Sequence, residues 1–178
     1  MGRVTSVIQV VGYSNSGKTT FVEKVVASFT QSNINVATIK HHGHKGPLTA
    51  LDEKKDSWRH RQAGSAATIV TGQNQLQLQI TNDQSWRLAD LIQLYEPFQF
   101  DCIVVEGYKF EDYPKVVIIK EAGDRALLHE LTNIIAVITW DERLIDLSKG
   151  IRVPVFSIGD ETAITWLRDN YVRGDMHE

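Results

Sequence analysis

Apolar side chains along this chain switch repeatedly between strand-like runs and helical spacing. Residues 4–11 (VTSVIQVV) are rich in β-branched residues and apolar on both faces, which predicts a central parallel strand covered by helices on each side. From Thr19, the residues Phe21, Val22, Val25, Val26 and Phe29 recur at helical spacing and predict a helix of roughly three turns. Asn33, Ile34 and Asn35 break it, and residues 36–39 read as a second strand, completing a βαβ unit.

Residues 41–55 are polar and contain Gly43, Gly46 and Pro47, a loop long enough to be functional. Asp56 or Ser57 then caps a short helix that ends at Gly64. Residues 66–70 and 76–80 read as a hairpin joined through 71–75, with Leu76, Leu78 and Ile80 alternating with glutamines. Such alternation predicts one wet face and one buried face. Ser85 starts a helix carrying Trp86, Leu91, Ile92 and Tyr95, which Pro97 stops. Further strands are expected at 102–105, 116–119, 134–138 and 153–156, and Asp160 caps a last helix ending near Gly174. The fold class expected is α/β with a largely parallel sheet and an added β-hairpin.

Composition narrows the setting. A chain of 178 residues supports one well-buried core, so a single domain over 1–178 is expected. With 42% hydrophobic and 23% charged residues and a formal net charge of -3, the surface is not one made for nucleic acid or anionic membrane, and small-molecule or protein partners fit better. A single cysteine, Cys102, excludes an internal disulfide and points to a reducing compartment, and residues 1–3 lead into a strand without a signal-peptide pattern. A cytoplasmic location is expected.

The strongest chemical signal is GYSNSGKT at residues 12–19, between the first strand and the first helix. In such a P-loop Gly12 permits the turn out of the strand, and Gly17 lets backbone approach oxygen without a Cβ in the way. Backbone N–H groups from Asn15, Ser16, Gly17, Lys18 and Thr19 are expected to face a β-phosphate, helped by the helix N-terminus. Lys18 would neutralise the β/γ-phosphates, and Thr19 would offer its hydroxyl to Mg²⁺. A glycine-rich turn without function is the plain alternative. A second half of the site lies at DCIVVEG, residues 101–107, where an apolar strand ends in Glu106. An acid there can hold Mg²⁺ or its water shell opposite Thr19, whereas Asp101 sits at the other end of the strand.

Lys40, His41, His42, Gly43, His44 and Lys45 form a basic cluster without the spacing of a zinc site. A loop beside the phosphates, a solvated loop and a transition-metal site all remain open for it. Residues 52–61 read as a solvated helical face on which Asp56 is the carboxylate that a nearby Mg²⁺ could recruit.

Taken together, GYSNSGKTT, TIKHHGH, KKDSWRHRQAGSAATIV, DCIVVEGYK, PKVVII, IIAVITWD and VPVFSIGD resemble, in order, the molybdopterin-guanine dinucleotide biosynthesis adapter proteins, the MobB family. The resemblance implies a P-loop NTPase-like three-layer fold that binds GTP with Mg²⁺. It also implies feeble GTPase activity, a homodimer, and assistance to the MobA-like guanylyltransferase that attaches GMP to molybdopterin. It assigns phosphate contacts to Asn15 through Thr20, so including Thr20, and the Mg²⁺ environment to Thr19 and Glu106. Lys40, His41, Asp56, Ser57, Gly64, Gly107 and Lys109 are further positions of the family pattern. Two departures stand out: residues 45–54 lack the proline-glycine turn of the family, and no Asn-Lys-x-Asp box reads guanine. Asp141, in TWD past the 134–138 strand, is a candidate acceptor for guanine N1–H, with an exposed turn aspartate as the alternative.

No arginine finger or water-positioning glutamine is evident, so slow hydrolysis is expected, with the nucleotide acting as ligand, carrier or switch. Two other functions fit parts of the pattern. A P-loop small-molecule kinase would need a lid, for which Arg59 and Arg61 are the clustered candidates. A nickel or zinc metallochaperone GTPase would use the 41–44 histidines.

Overall fold

The computed structural model describes residues 5–43, 46, 48–49, 52–143 and 152–172. Val4, His44 and the helix end expected near Gly174 lie outside the described residues. The chain forms two compact units, one within 1–41 and 88–178 and the other within 42–87.

The first unit holds a sheet that, among the described residues, has six strands, all parallel. In chain order they are β1 (Ser6–Val11), β2 (Val36–Lys40), β5 (Cys102–Glu106), β6 (Lys115–Ile119), β7 (Ile134–Thr139) and β8 (Val155–Ser157). Their spatial order is β2-β5-β1-β6-β7-β8, so β1 lies between β5 and β6. Near-continuous apolar runs suit these strands because both sheet faces are covered.

One face packs on α1 (Lys18–Gln31) and α5 (Thr162–Tyr171) through Phe21, Val25, Phe29, Ala163 and Leu167. The other is covered by α3 (Leu88–Gln93) beside Ala37, Ile39, Ile103 and Val105, and by α4 (Leu127–Glu130) beside Val11, Val117 and Val137. This is the expected three-layer α/β arrangement. Helix α1 is rich in β-branched residues of middling helix propensity, so its buried stripe stabilises it more than its backbone does. Phe29 is fully buried, and truncating it to alanine would cost about 3–5 kcal/mol. Asn33, at φ 59, ends the helix, and the Ile34 N–H returns to the Phe29 carbonyl at 3.0 Å.

Local details differ from the sequence pattern. Helix α3 begins at Leu88 rather than Ser85, and Pro97 lies inside a separate 3-10 turn, Glu96–Phe98, rather than stopping the helix. Proline fits the first turn of such a helix because the N–H it lacks has no intrahelical partner there. A 3-10 turn at Ala122–Ala126 leads into α4, two short elements without enough periodicity to be read beforehand.

The second unit contains α2 (Asp56–Gln62) and the hairpin β3 (Ala67–Gly72) and β4 (Gln75–Ile80). Neither Asp56 nor Ser57 caps α2: Lys55 holds the cap position, and the Ser57 hydroxyl donates instead to Asp52. Arg61 closes this network with a two-pronged contact to Asp52 and a bond to Thr68 Oγ1 at 2.9 Å. The hairpin loop is the two-residue Gln73-Asn74, tighter than the five residues expected, with Gln73 at φ 50. Register pairs Ala67 with Ile80, Ile69 with Leu78 and Thr71 with Leu76, which puts the apolar side chains on one face. That face is not buried within the chain: Ile69 is 64%, Leu76 54% and Leu78 45% exposed. Thr68, on the opposite face, is the side chain that meets Arg61.

Candidate functional site

The site of interest grows from the C-terminal ends of β1, β2 and β5. Gly12 leaves β1 with Ser16 folded over it: a Cβ on Gly12 would lie 2.6 Å from Ser16 Oγ and 2.9 Å from the Ile118 carbonyl. Asn15 (φ 58) and Gly17 (φ 95) are both left-handed, which turns the loop back into α1. No side chain caps α1, so its first-turn N–H groups, including those of Thr19 and Thr20, lack an intrahelical acceptor and form the positive end of the helix dipole. Lys18 Nζ donates to the Tyr13 carbonyl at 2.6 Å. Burial lowers the Lys18 pKa, against an opposing pull from Glu106.

Glu106 ends β5, and the parallel pairing of β5 with both β1 and β2 carries its carboxylate to this corner. Thr19 Oγ1 donates to it at 3.0 Å to Oε1 and 3.2 Å to Oε2. Lys40, its register partner on β2, donates to Glu106 Oε1 at 2.8 Å and to Thr19 Oγ1 at 3.0 Å. Thus the two residues expected to share Mg²⁺ are in contact, and an ammonium balances their charge. A carboxylate and a hydroxyl held this closely are the hard oxygen donors that Mg²⁺ takes, so the residues present fit that ion. Asp101 is at the opposite end of β5, where its carboxylate accepts the Asn35 N–H at 2.8 Å.

A second layer orients this corner. Gly107 has φ 100, and a Cβ there would come within 2.9 Å of His41 Cβ. The His41 N–H donates to the Glu106 carbonyl at 2.9 Å, and its ring meets Tyr108 edge-on at 4.8 Å. Within the apolar strands, Gln9 and Lys115 are fully buried register partners. Gln9 Nε2 donates to the Gly107 and Tyr108 carbonyls, and Lys115 Nζ to those of Glu111, Tyr113 and Thr132. Together they tie down the 107–114 connection, from which Lys109 Nζ lies 4.8 Å over the Tyr13 ring. Burial lowers the Lys115 pKa.

From the other side, Lys120 Nζ donates to the Asn15 carbonyl at 3.1 Å, and Trp140 Nε1 to the Ser16 carbonyl at 2.8 Å. Sequence reasoning passed over both. The available signal was position, since each follows directly on an apolar strand at the end where ligands of parallel sheets bind. Asp141, next to Trp140, is held by Arg143 through Nε at 2.9 Å and Nη2 at 2.8 Å, which lowers its pKa. A guanine contact from Asp141 would have to share the carboxylate with that arginine.

Asp56 belongs to the second unit, where it is exposed and 3.6 Å from Arg59. Arg61 is buried against Asp52, so neither candidate lid arginine is without an acidic partner. Among the described residues no group of three or more His, Cys, Asp or Glu side chains could hold a metal ion, and no helix is long and apolar enough to cross a membrane.

Comparison with known proteins follows the same lines. Residues 7–140 match the family model of molybdopterin guanine dinucleotide synthesis protein B, MobB. The chain is 40% identical over 161 residues to a probable molybdopterin-guanine dinucleotide biosynthesis adapter protein of Bacillus subtilis, covering 90% of each. It is 29% identical over 154 residues to the adapter protein of Haemophilus influenzae, covering 84% of this chain and 85% of that one. Among solved structures, the Bacillus stearothermophilus MobB homolog superposes with a TM-score of 0.74 at 39% identity, over 94% of this chain and 98% of that one. Bacillus subtilis MobB gives a TM-score of 0.79 at 36% identity, over 93% and 98%. The motif string, the parallel sheet with its added hairpin and these likenesses agree, and the chain belongs to the MobB family.

Proposed function

We propose that this protein is a GTP-binding adapter of molybdenum cofactor biosynthesis, which assists a MobA-like guanylyltransferase in converting molybdopterin to its guanine dinucleotide. The observation that carries the nucleotide half is the contact of Thr19 with Glu106 beside Lys18 and the uncapped start of α1. The adapter half is supported by what the relatives in Bacillus subtilis and Haemophilus influenzae are named. In this reading the N–H groups of the 15–20 segment and Lys18 take the phosphate oxygens, while Thr19 and Glu106 hold Mg²⁺. The ion, when bound, supplies charge neutralisation to the phosphates. Lys40 keeps Glu106 paired until the cation arrives.

Hydrolysis is slow in this proposal. The side chains gathered at the corner, Lys18, Thr19, Lys40 and Glu106, balance charge but include no arginine or glutamine to orient an attacking water. The exposed apolar face of the hairpin supports a homodimer, since a patch of that kind is covered when it meets a second copy of itself. Calorimetric titration with GTP, ATP and their diphosphates, with and without Mg²⁺, tests the nucleotide reading. Mg²⁺-dependent GTP binding that Lys18→Ala abolishes is expected. A clear preference for ATP would move the assignment to a kinase, and unchanged binding by Lys18→Ala would remove the P-loop from it.

A further inference from the structure

Trp140 is placed unlike the other apolar residues at the strand ends. It follows β7 directly, 49% exposed, yet its indole is fixed at two points of the phosphate loop. Nε1 donates to the Ser16 carbonyl at 2.8 Å, and the six-membered ring lies so close to Gly17 that a Cβ there would come within 2.9 Å of Cζ2. Gly17 is thus required twice, by its φ of 95 and by the indole against it.

An indole that only propped the loop would gain by being covered. Here the single polar atom of the ring is already satisfied by the loop, and what stays in solvent is aromatic surface. That surface stands at the C-terminal edge of a parallel sheet, the side on which such folds take ligands. A planar, uncharged, pre-oriented surface joined to a phosphate cradle suits the flat ring of a nucleobase, because base and aromatic side chain stack without regard to hydrogen-bond pattern.

We propose that Trp140 is the stacking platform for the nucleobase of the bound nucleotide, so that phosphate loop and base platform are built as one piece. The inference rests on the nucleotide-binding reading above. Because every base has a π-face, the platform adds affinity for a purine nucleotide without choosing guanine over adenine. Discrimination is left to polar groups such as Asp141. The platform also ties loop geometry to base binding, since any movement of Gly17 moves the surface on which the base lies.

Calorimetric titration of the full-length protein in Mg²⁺, with GTP and separately with inorganic tripolyphosphate, tests it on the parent, Trp140→Leu and Trp140→Phe. Circular dichroism melts check that the variants fold. Trp140→Leu is expected to lose at least about tenfold more affinity for GTP than for tripolyphosphate. Trp140→Phe, which keeps a ring but loses the N–H, is expected to retain most of the GTP affinity. Equal losses for GTP and tripolyphosphate would reduce Trp140 to a prop for the loop and overturn the proposal, as would unchanged GTP binding by Trp140→Leu. A parent that binds neither ligand would overturn the nucleotide reading itself, a distinct result.

Discussion

Lys40 and Glu106 are register partners on β2 and β5, and Lys40 Nζ lies 2.8 Å from Glu106 Oε1. The lysine is mostly exposed and the carboxylate largely buried, so the pair matters more to Glu106 than to Lys40. Removing the lysine leaves the carboxylate with the Thr19 hydroxyl as its remaining side-chain partner in this group. Lys40→Met is therefore expected to lose about 1 kcal/mol, read as a melting temperature lower by about 2–4 °C in EDTA. Mg²⁺ should restore more of the melting temperature in the variant than it adds to the parent. Identical melts of parent and variant without metal would show that Lys40 does not balance Glu106.

The left-handed glycines at the two loops make a separate prediction. Gly17→Ala and Gly107→Ala each force a Cβ into a positive-φ residue, with φ 95 and φ 100, and against Trp140 or His41. Backbone strain alone is worth about 1–2 kcal/mol in each. Gly123→Ala meets nothing within 4 Å and serves as control, with near-parental stability in urea. If all three variants unfold at the same urea concentration, the close approaches described for Gly17 and Gly107 are wrong.

Asp52 gives the second unit a pH dependence of known sign. Hydrogen bonds from Arg61 and Ser57 hold its carboxyl well below the usual carboxylate range. A folded-state pKa below the unfolded one stabilises at pH above about 4 and loses that contribution as pH falls toward the folded value. Arg61→Leu should thus be less stable than the parent by a constant amount between about pH 5 and 8, with the gap closing in acid. Hydrogen exchange at the amides of α2 and the hairpin reads this locally. A gap that widened in acid would reverse the assigned sign.

Cys102 lies fully buried at the start of β5, where burial and then the neighbouring Asp101 push its thiol up to about 12. The thiolate is the reactive form, so the native protein should resist Ellman's reagent at about pH 8 and react fully once unfolded. Because the folded pKa is the raised one, this residue costs no stability at neutral pH and begins to favour unfolding only above about pH 9. Rapid labelling of the native protein would contradict its burial.

The hairpin face offers a test of association. Leu78→Lys places a charge in the middle of the Ile69, Leu76 and Leu78 face without touching the Thr68 side. Light scattering is expected to show a dimer for the parent and a monomer for the variant at micromolar concentration. A monomeric parent would remove the hairpin from the account of assembly.

Much of the molecule was readable in the residues themselves. Each strand read as an apolar run is present within about two residues, because a strand buried on both faces leaves a continuous record. The turn at 12–19 was legible for a related reason: glycine, lysine and a hydroxyl at fixed offsets follow from the local path of one short segment between a strand and a helix. Short elements were harder. The start of α3 depends on contacts of Leu88 with the sheet that no window of sequence contains, and the 3-10 turn at Ala122–Ala126, capped locally by Glu121 and Asp124, is too short to show a period. The hairpin was recognised by its alternation, but alternation separates two faces without saying what covers either, and the apolar one is open within the chain.

The sequence by itself therefore determined the α/β class, the glycine-rich turn at 12–19 between β1 and α1, and the acid at the end of β5, since each is a local pattern or a run of one polarity. Tertiary structure alone decided which distant residues meet: Lys40 with Glu106 and Thr19, Trp140 with Ser16 and Gly17, Gln9 with the 107–108 carbonyls. The reason is that these meetings depend on strand order. With β5 beside both β1 and β2, and β6 and β7 on the other side of β1, parallel pairing delivers the strand ends to one edge. No spacing along the chain encodes that order.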